Sequence, residues 1–316
     1  METLSSSPNR DFFRVHRSVL VLSSNFFRDM INFPKAQEQD TYEDVPLIVL
    51  HDDDARDAAH FLKALYIPFY FSPSPTRTKL EILEGVLRLA HKYDVPALRR
   101  CAHEHLATVF ATGVGDLSTR KYIDELFDCL PDNCDLPLLK AVIALAREVG
   151  AVWLLPLAYY DILTHDVANL DIAQELLGRQ RDITRVDFSA CLRGRVFLLE
   201  KIPYSLFATP CQGTSVDNCS FEKLRSFTAD DLPGYFKEPL TYFTSWISEG
   251  DNNKNLKICE KCQLDMRRDH DTWLANVWET LPTLFNLPGW KDLLKLKRQD
   301  LGASPLSRPR GRPTHR

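Results

Sequence analysis

The sequence predicts an α+β fold, in which a small sheet flanked by helices is followed by a mostly helical region. One observation is the continuous apolar run VPLIVL at 45–50, which has the length of a strand. A second is the helical spacing of apolar residues over most of the first hundred positions, and a third is the helical pattern of the second half. A lone strand leaves backbone groups unpaired, and helices with one apolar face need a surface, so a sheet covered by helices satisfies both.

Length and composition indicate a soluble globular protein of two domains. The chain has 316 residues, of which 44% are hydrophobic and 26% charged. The formal net charge of -4 argues against a nucleic-acid surface along the whole chain. No apolar run approaches the roughly 20 residues that span a bilayer, and the start shows no secretory signal. We therefore expect an intracellular protein, nuclear or cytoplasmic, without membrane contact and with reduced cysteines.

The first half reads as helix, strand and then three helices. The segment 15–31 predicts one helix with an apolar stripe through Val19, Leu22, Phe26 and Met30. The strand 45–50 follows, and then a helix that the aspartates at 52–54 can cap. After the proline- and serine-rich loop 68–78, two further helices are expected on either side of Pro96. The stripe of the first of them consists of Leu80, Leu83, Val86, Leu87 and Ala90.

The second half is predicted to be helical up to a basic tail. The segment 136–150 ends at Gly150, a residue suited to the end of a helix. A CxxC pair and a tryptophan-rich stretch precede residue 298, after which the basic, proline-rich chain is expected to be disordered. The predicted division is therefore 12–110, 117–297 and 298–316, with the boundary at ATGVGD (111–116).

Three segments carry a family resemblance. They are FRVHRSVL at 13–20, SNFFRDM at 24–30 and LRLAHKYDVPAL at 87–98, the last being the most specific. Together they resemble the BTB/POZ domain, in the version expanded in mushroom-forming (basidiomycete) fungi. The CxxC pair and the tryptophan-rich end at 278–293 are also similar to that family.

The resemblance implies a protein–protein interaction module without catalysis, which forms BTB homo- or heterodimers. By family analogy, the partner-contacting residues are His16, Arg17, Phe27, Tyr66 and Tyr93. BTB domains usually open with a strand before the Phe-x-x-His segment, whereas METLSSSPNRDF lacks an alternating apolar run. The sequence thus predicts that the first strand is missing or shortened, which would weaken dimerisation through the usual edge.

Two other functions stay open at this point. One is a substrate adaptor of a cullin-type ubiquitin ligase, which by analogy would use helix 54–66 and loop 68–78. The other is a DNA-associated transcriptional regulator, because the tail segment PRGRP resembles an AT-hook with Arg310, Gly311 and Arg312 in the minor groove. The sequence contains no catalytic motif, so no catalytic residue and no small-molecule substrate are expected.

Four cysteines predict a structural zinc site. Cys259-x-x-Cys262 has the spacing of half such a site, and Cys211 and Cys219 can supply the other half, with His270 as a reserve ligand. The alternatives are that these cysteines are small buried apolar residues with a surface pair, or that the CxxC is a redox pair.

Overall fold

The computed structural model describes residues 2–6, 11–33, 40–128, 130–201 and 259–302, together with 211, 219, 234, 238 and 240–242. The predicted α+β class is confirmed, since a small sheet is followed by a chain that is helical over most of its described length. None of the helices in these ranges is long and apolar enough to cross a bilayer.

The sheet comprises β1 (Glu2–Ser6), β2 (Phe12–Val15), β3 (Thr41–Tyr42) and β4 (Val45–Leu50), in the order β2-β1-β4-β3. Strand β1 runs antiparallel to β2 and parallel to β4. The prediction of a missing first strand is therefore wrong. A strand paired on both sides is held by its ladder of hydrogen bonds, and Leu4, which is fully buried, is enough to anchor it in the core.

The predicted first helix is two helices, α1 (Arg17–Ser23) and α2 (Asn25–Asn32), separated by Ser24 in an extended conformation. The Ser24 hydroxyl accepts a hydrogen bond from the Phe27 amide and donates one to the Tyr93 carbonyl. This break changes which residues face inward. Leu20 and Phe27 are buried, whereas the expected stripe residues Leu22 and Phe26 are exposed.

Helices α3 (Ala55–Tyr66), α4 (Leu80–Lys92) and α5 (Pro96–Ala107) agree with the predicted pattern. Asp54 caps α3 by accepting hydrogen bonds from the Arg56 and Asp57 amides. The expected apolar stripe of α4 is buried throughout. The sheet, α1 and α2 pack on α3 and the end of α4 around Phe27, Phe61 and Tyr93.

The second half contains α6 (Ile123–Leu126), α7 (Asp135–Glu148), α8 (Leu155–Leu163), α9 (Arg185–Glu200), α10 (Glu260–Leu284) and α11 (Trp290–Leu301). A hairpin of β5 (Gln174–Leu176) and β6 (Arg179–Arg181) precedes α9 and was not expected. It turns at Leu177 and Gly178, which both have positive φ. As predicted, α7 ends before Gly150, whose φ is +74°.

A continuous apolar core crosses the predicted domain boundary at 111–116. It joins α4 and α5 to α7, α8, α9, α10 and α11. The Lys297 ammonium donates to the Thr112 hydroxyl at 2.9 Å, and the Trp153 indole donates to Asp300 at 2.8 Å. These hydrogen bonds attach α11 to the segment after α5 and to the turn before α8. The division into residues 12–110 and 117–297 remains a prediction, and the described residues on the two sides of the boundary share this core.

Candidate interaction surface and cysteine cluster

Large apolar side chains are exposed on α1, α2 and the sheet. Leu22 on α1 is 83% exposed, and Phe33, just after α2, is 76% exposed. Phe26 on α2 is also open to solvent. Phe12 stacks on Tyr42 with ring centroids 4.0 Å apart, so β2 and β3 share an aromatic pair whose members are both partly exposed. We call the side chains Phe12, Leu22, Phe26, Phe33 and Tyr42 the N-terminal apolar surface.

Three of the predicted partner-contacting residues lie outside the core. The His16 amide donates to the Tyr66 hydroxyl at 2.8 Å, and that hydroxyl donates to the His16 carbonyl at 3.0 Å. Arg17 donates to the Ile31 carbonyl at 3.3 Å. The His16–Tyr66 pair fastens the start of α1 to the end of α3. Contact of these three residues with a partner stays a prediction.

The other two, Phe27 and Tyr93, are buried in the core and stack on each other at 4.9 Å. Burial and the adjacent Asp53 carboxylate, to which the hydroxyl donates, raise the pKa of Tyr93. Lys92 pairs with the same carboxylate at 2.7 Å. Their side chains hold the core together and present no surface to a partner.

The four predicted cysteines come together at the start of α10. Their sulfur atoms all lie within 4.8 Å of one another, and three of the four residues are buried. His270 does not belong to this group. Sequence reasoning thus found the members of a cluster that could hold a metal ion.

Each half of the cluster has a distinct setting. Cys259 is the N-cap of α10, and Cys262 lies in its first turn. The backbone amide of Cys262 lowers the pKa of the Cys259 thiol to about 7. The Cys259 amide in turn donates to the Cys219 sulfur at 3.3 Å, and the sulfurs of Cys211 and Cys259 are 3.7 Å apart.

Comparison with protein-family models identifies the first part of the chain. The model of the BTB/POZ domain matches residues 6–109. Residues 6–109 form a BTB/POZ domain. Comparisons with curated proteins and with solved structures found no match. The BTB domain is a non-catalytic protein–protein interaction module, as the resemblance implied.

The AT-hook residues Arg310, Gly311 and Arg312 lie outside the described residues, and DNA contact stays a prediction.

An ion-pair network attaches the β5–β6 hairpin to the BTB domain, and sequence reasoning missed it. Arg181 on β6 forms a bidentate pair with Glu84 of α4, with N–O distances of 2.6 and 2.9 Å. Arg179 reaches Asp57 of α3 at 2.6 Å. Glu84 and Asp57 are both buried. We call these four residues the arginine latch.

Two further features show how closely the latch is built into the BTB domain. Arg88 of α4 also pairs with Asp57, and it reaches Glu148 of α7 at 2.8 Å. A Cβ atom added at Gly85 would lie 2.9 Å from the Asp57 Cα, so the glycine permits the close approach of α3 and α4. The signal in the sequence was an acidic residue, Glu84, inside an otherwise apolar helical face.

Proposed function

We propose that this chain works through protein contacts made by its BTB domain, and that its partner is a second copy of the chain. The observation that carries the proposal is that the BTB domain itself exposes large apolar side chains on α1, on α2 and on the sheet. Helices α4 and α5 are covered by the helical region, and the arginine latch occupies part of α3 and α4. The N-terminal apolar surface lies on α1, α2 and the sheet, which do not take part in the latch.

Burial of these side chains supplies the driving force for association. Covering a leucine or phenylalanine side chain contributes about 1.5–3 kcal/mol. Interfaces concentrate such anchors near their centre, where they are fully desolvated, with charged residues at the rim. Leu22 and Phe26 fit the role of anchors, and the charged neighbours Arg17 and Arg28 fit the rim.

The change Leu22→Glu should convert a dimer into a monomer in size-exclusion chromatography with light scattering. A carboxylate at this position would have to lose its water in the interface, which costs far more than an exposed charge on a monomer. Because Leu22 is 83% exposed, the fold itself should tolerate the change. The circular dichroism spectrum should match that of the wild type, and the unfolding midpoint should fall only by the stabilisation that dimerisation gives the wild type at the same protein concentration.

Val186→Glu is the matched control. Val186 on α9 is also an exposed apolar residue, but it lies outside the BTB domain. This variant should remain dimeric. A wild type that is monomeric at micromolar concentration, or a dimer that Leu22→Glu leaves intact, would contradict the proposal.

A second candidate function, the adaptor of a cullin-type ubiquitin ligase, is supported by the loop after α3. Phe69 in this loop is 88% exposed, and Ile67 is exposed beside it. In a pull-down with a cullin N-terminal domain, the wild type should be retained and Phe69→Ser should not. No retention of the wild type would exclude this adaptor role and leave self-association as the function.

Proposals about the fungal branch, DNA contact, location and catalysis rest on the sequence alone. Membership of the basidiomycete branch rests on the segments 87–98 and 278–293. A role as DNA-associated regulator rests on the tail alone, and the expected location is intracellular, either nuclear or cytoplasmic. The absence of catalysis outside the BTB domain rests on the absence of catalytic motifs.

A further inference from the structure

We infer that Cys211, Cys219, Cys259 and Cys262 bind one zinc ion through four thiolates. The four residues come from two stretches of chain that are remote in sequence, because Cys211 and Cys259 are 48 positions apart. Side chains from such distant positions converge on one point by folding, and here every member of the group is a cysteine. A set of sulfur ligands selects zinc or an iron–sulfur centre over magnesium or calcium.

The spacing of the sulfur atoms matches a tetrahedral site. Zinc–sulfur bonds of about 2.3 Å in a tetrahedron place neighbouring sulfurs about 3.8 Å apart. The sulfurs of Cys211 and Cys259 are 3.7 Å apart, and all four lie within 4.8 Å of one another. Small side-chain rotations are therefore enough to bring four sulfurs to bonding distance from one central ion.

Backbone amides at the site donate hydrogen bonds to sulfur atoms of the cluster. The Cys259 amide donates to the Cys219 sulfur at 3.3 Å, a hydrogen bond that favours negative charge on sulfur. Cys259 and Cys262 lie at the N-terminus of α10, a helix of 25 residues. The amides of the first turn and the dipole at that end also favour negative charge.

The two competing explanations account for less of this geometry. A CxxC redox pair would use Cys259 and Cys262 and would give no role to Cys211 and Cys219, which are buried against them. If the four thiols only packed as small apolar residues, the sulfur of Cys219 would have no need of a hydrogen-bond donor. It nevertheless accepts a hydrogen bond from the Cys259 amide. A single zinc ion uses all four sulfurs and the amide.

The ion would join the segment around Cys211 and Cys219 to the first turn of α10. The opposite end of α10 is already anchored, since Trp278 stacks on Trp290 at 5.0 Å within the shared core. Between these ends, Trp273 donates to the Lys201 carbonyl at 2.7 Å, which links α10 to the end of α9. The zinc site thus has a structural role, because all four positions are filled by protein and no site for substrate is left.

Metal analysis of the purified full-length chain tests the inference. The protein should contain about one zinc per chain when it is purified under reducing conditions without chelators. After exchange, cobalt(II) should give the intense near-ultraviolet charge-transfer bands of thiolate ligation and the visible bands of a tetrahedral site. Iron in place of zinc, or a metal-free protein that takes up neither zinc nor cobalt after reduction, would overturn the inference.

Matched cysteine variants locate the site. Cys219→Ser and Cys262→Ser should each lose most of the zinc, whereas Cys134→Ser, at another buried cysteine, should keep it. Zinc loss in Cys134→Ser equal to that in Cys219→Ser would overturn the assignment. If a cluster variant does not fold, thiol titration of the wild type decides. In the wild type, four cysteines should react with a thiol reagent only after a strong chelator has removed the metal. If the number of reactive cysteines is the same before and after chelation, the site is refuted.

Discussion

Replacing Glu84 by alanine should lower the free energy of unfolding by about 3–5 kcal/mol, the cost typical of breaking a buried ion pair by removing one partner. Glu84 is 1% exposed and holds both terminal nitrogens of Arg181, and Arg179 lies within 3.8 Å of it. Without the carboxylate, the Arg181 guanidinium would stay buried without its charge partner. The same change also leaves a cavity between α4 and the β5–β6 hairpin.

Chemical denaturation followed by circular dichroism measures this loss. Arg14→Ala is the matched control, because Arg14 forms an ion pair with Glu43 in which both side chains are at least half exposed. Such surface pairs contribute about 0–1 kcal/mol, so the control should be nearly as stable as the wild type. The double variant Glu84→Met/Arg181→Met should regain part of the stability, since it removes both charges and fills the space. A Glu84→Ala variant as stable as Arg14→Ala would show that the latch contributes little.

The latch also joins the described part of the helical region to the BTB domain, in addition to the apolar core that they share. Glu84 and Arg181 are 97 positions apart, and neither position shows locally that the other is its partner. Periodicity found the stripe of α4 correctly, because burial of one helical face is a local property that spacing reveals. Which element packs on that face depends on the tertiary structure, and the spacing of residues in one sequence does not reveal it.

In the sheet, too, the elements with a local sequence signal were predicted correctly, and those that depend on tertiary contacts were missed. Strand β4 was predicted correctly because VPLIVL is a continuous apolar run. Strand β1 was missed because its sequence, ETLSS, contains a single large apolar residue, Leu4, which is buried. Strand β1 is specified by pairing with β2 and β4 rather than by its own composition. The break at Ser24 was missed for a related reason. Its hydroxyl bonds to the carbonyl of Tyr93, which is 69 positions away.

The cysteine cluster was predictable only in part, because one half of it has a local spacing signal and the other half does not. The spacing of Cys259 and Cys262 is a local signal, and it correctly picked out two members of a cluster that could hold a metal ion. The other half had no recognisable spacing, since Cys211 and Cys219 are eight positions apart. Those two were assigned as the other half without support from spacing, and the structure brings them to the same point.

Two neighbouring phenylalanines should respond in opposite ways to alanine substitution. Phe27 is fully buried and stacks on Tyr93 at 4.9 Å, so Phe27→Ala should cost about 3–5 kcal/mol of unfolding free energy through lost burial and the remaining cavity. Phe26 is 45% exposed and touches the same cluster only at its edge. Phe26→Ala should cost about 1–2 kcal/mol, because its half-exposed ring makes two aromatic contacts, with Phe27 and with Tyr93.

Association should show the reverse order. Phe26→Ala removes an anchor from the N-terminal apolar surface, so its dimer should dissociate at a higher protein concentration than that of the wild type. Phe27→Ala, studied at low temperature without denaturant where the chain remains folded, should keep the wild-type dimer dissociation constant. Unfolding curves and concentration-dependent light scattering on both variants measure the two quantities separately. If Phe27→Ala instead weakened association while leaving stability unchanged, Phe27 would contact the partner as the family analogy implied, and the Ser24 break would have to open when the partner binds.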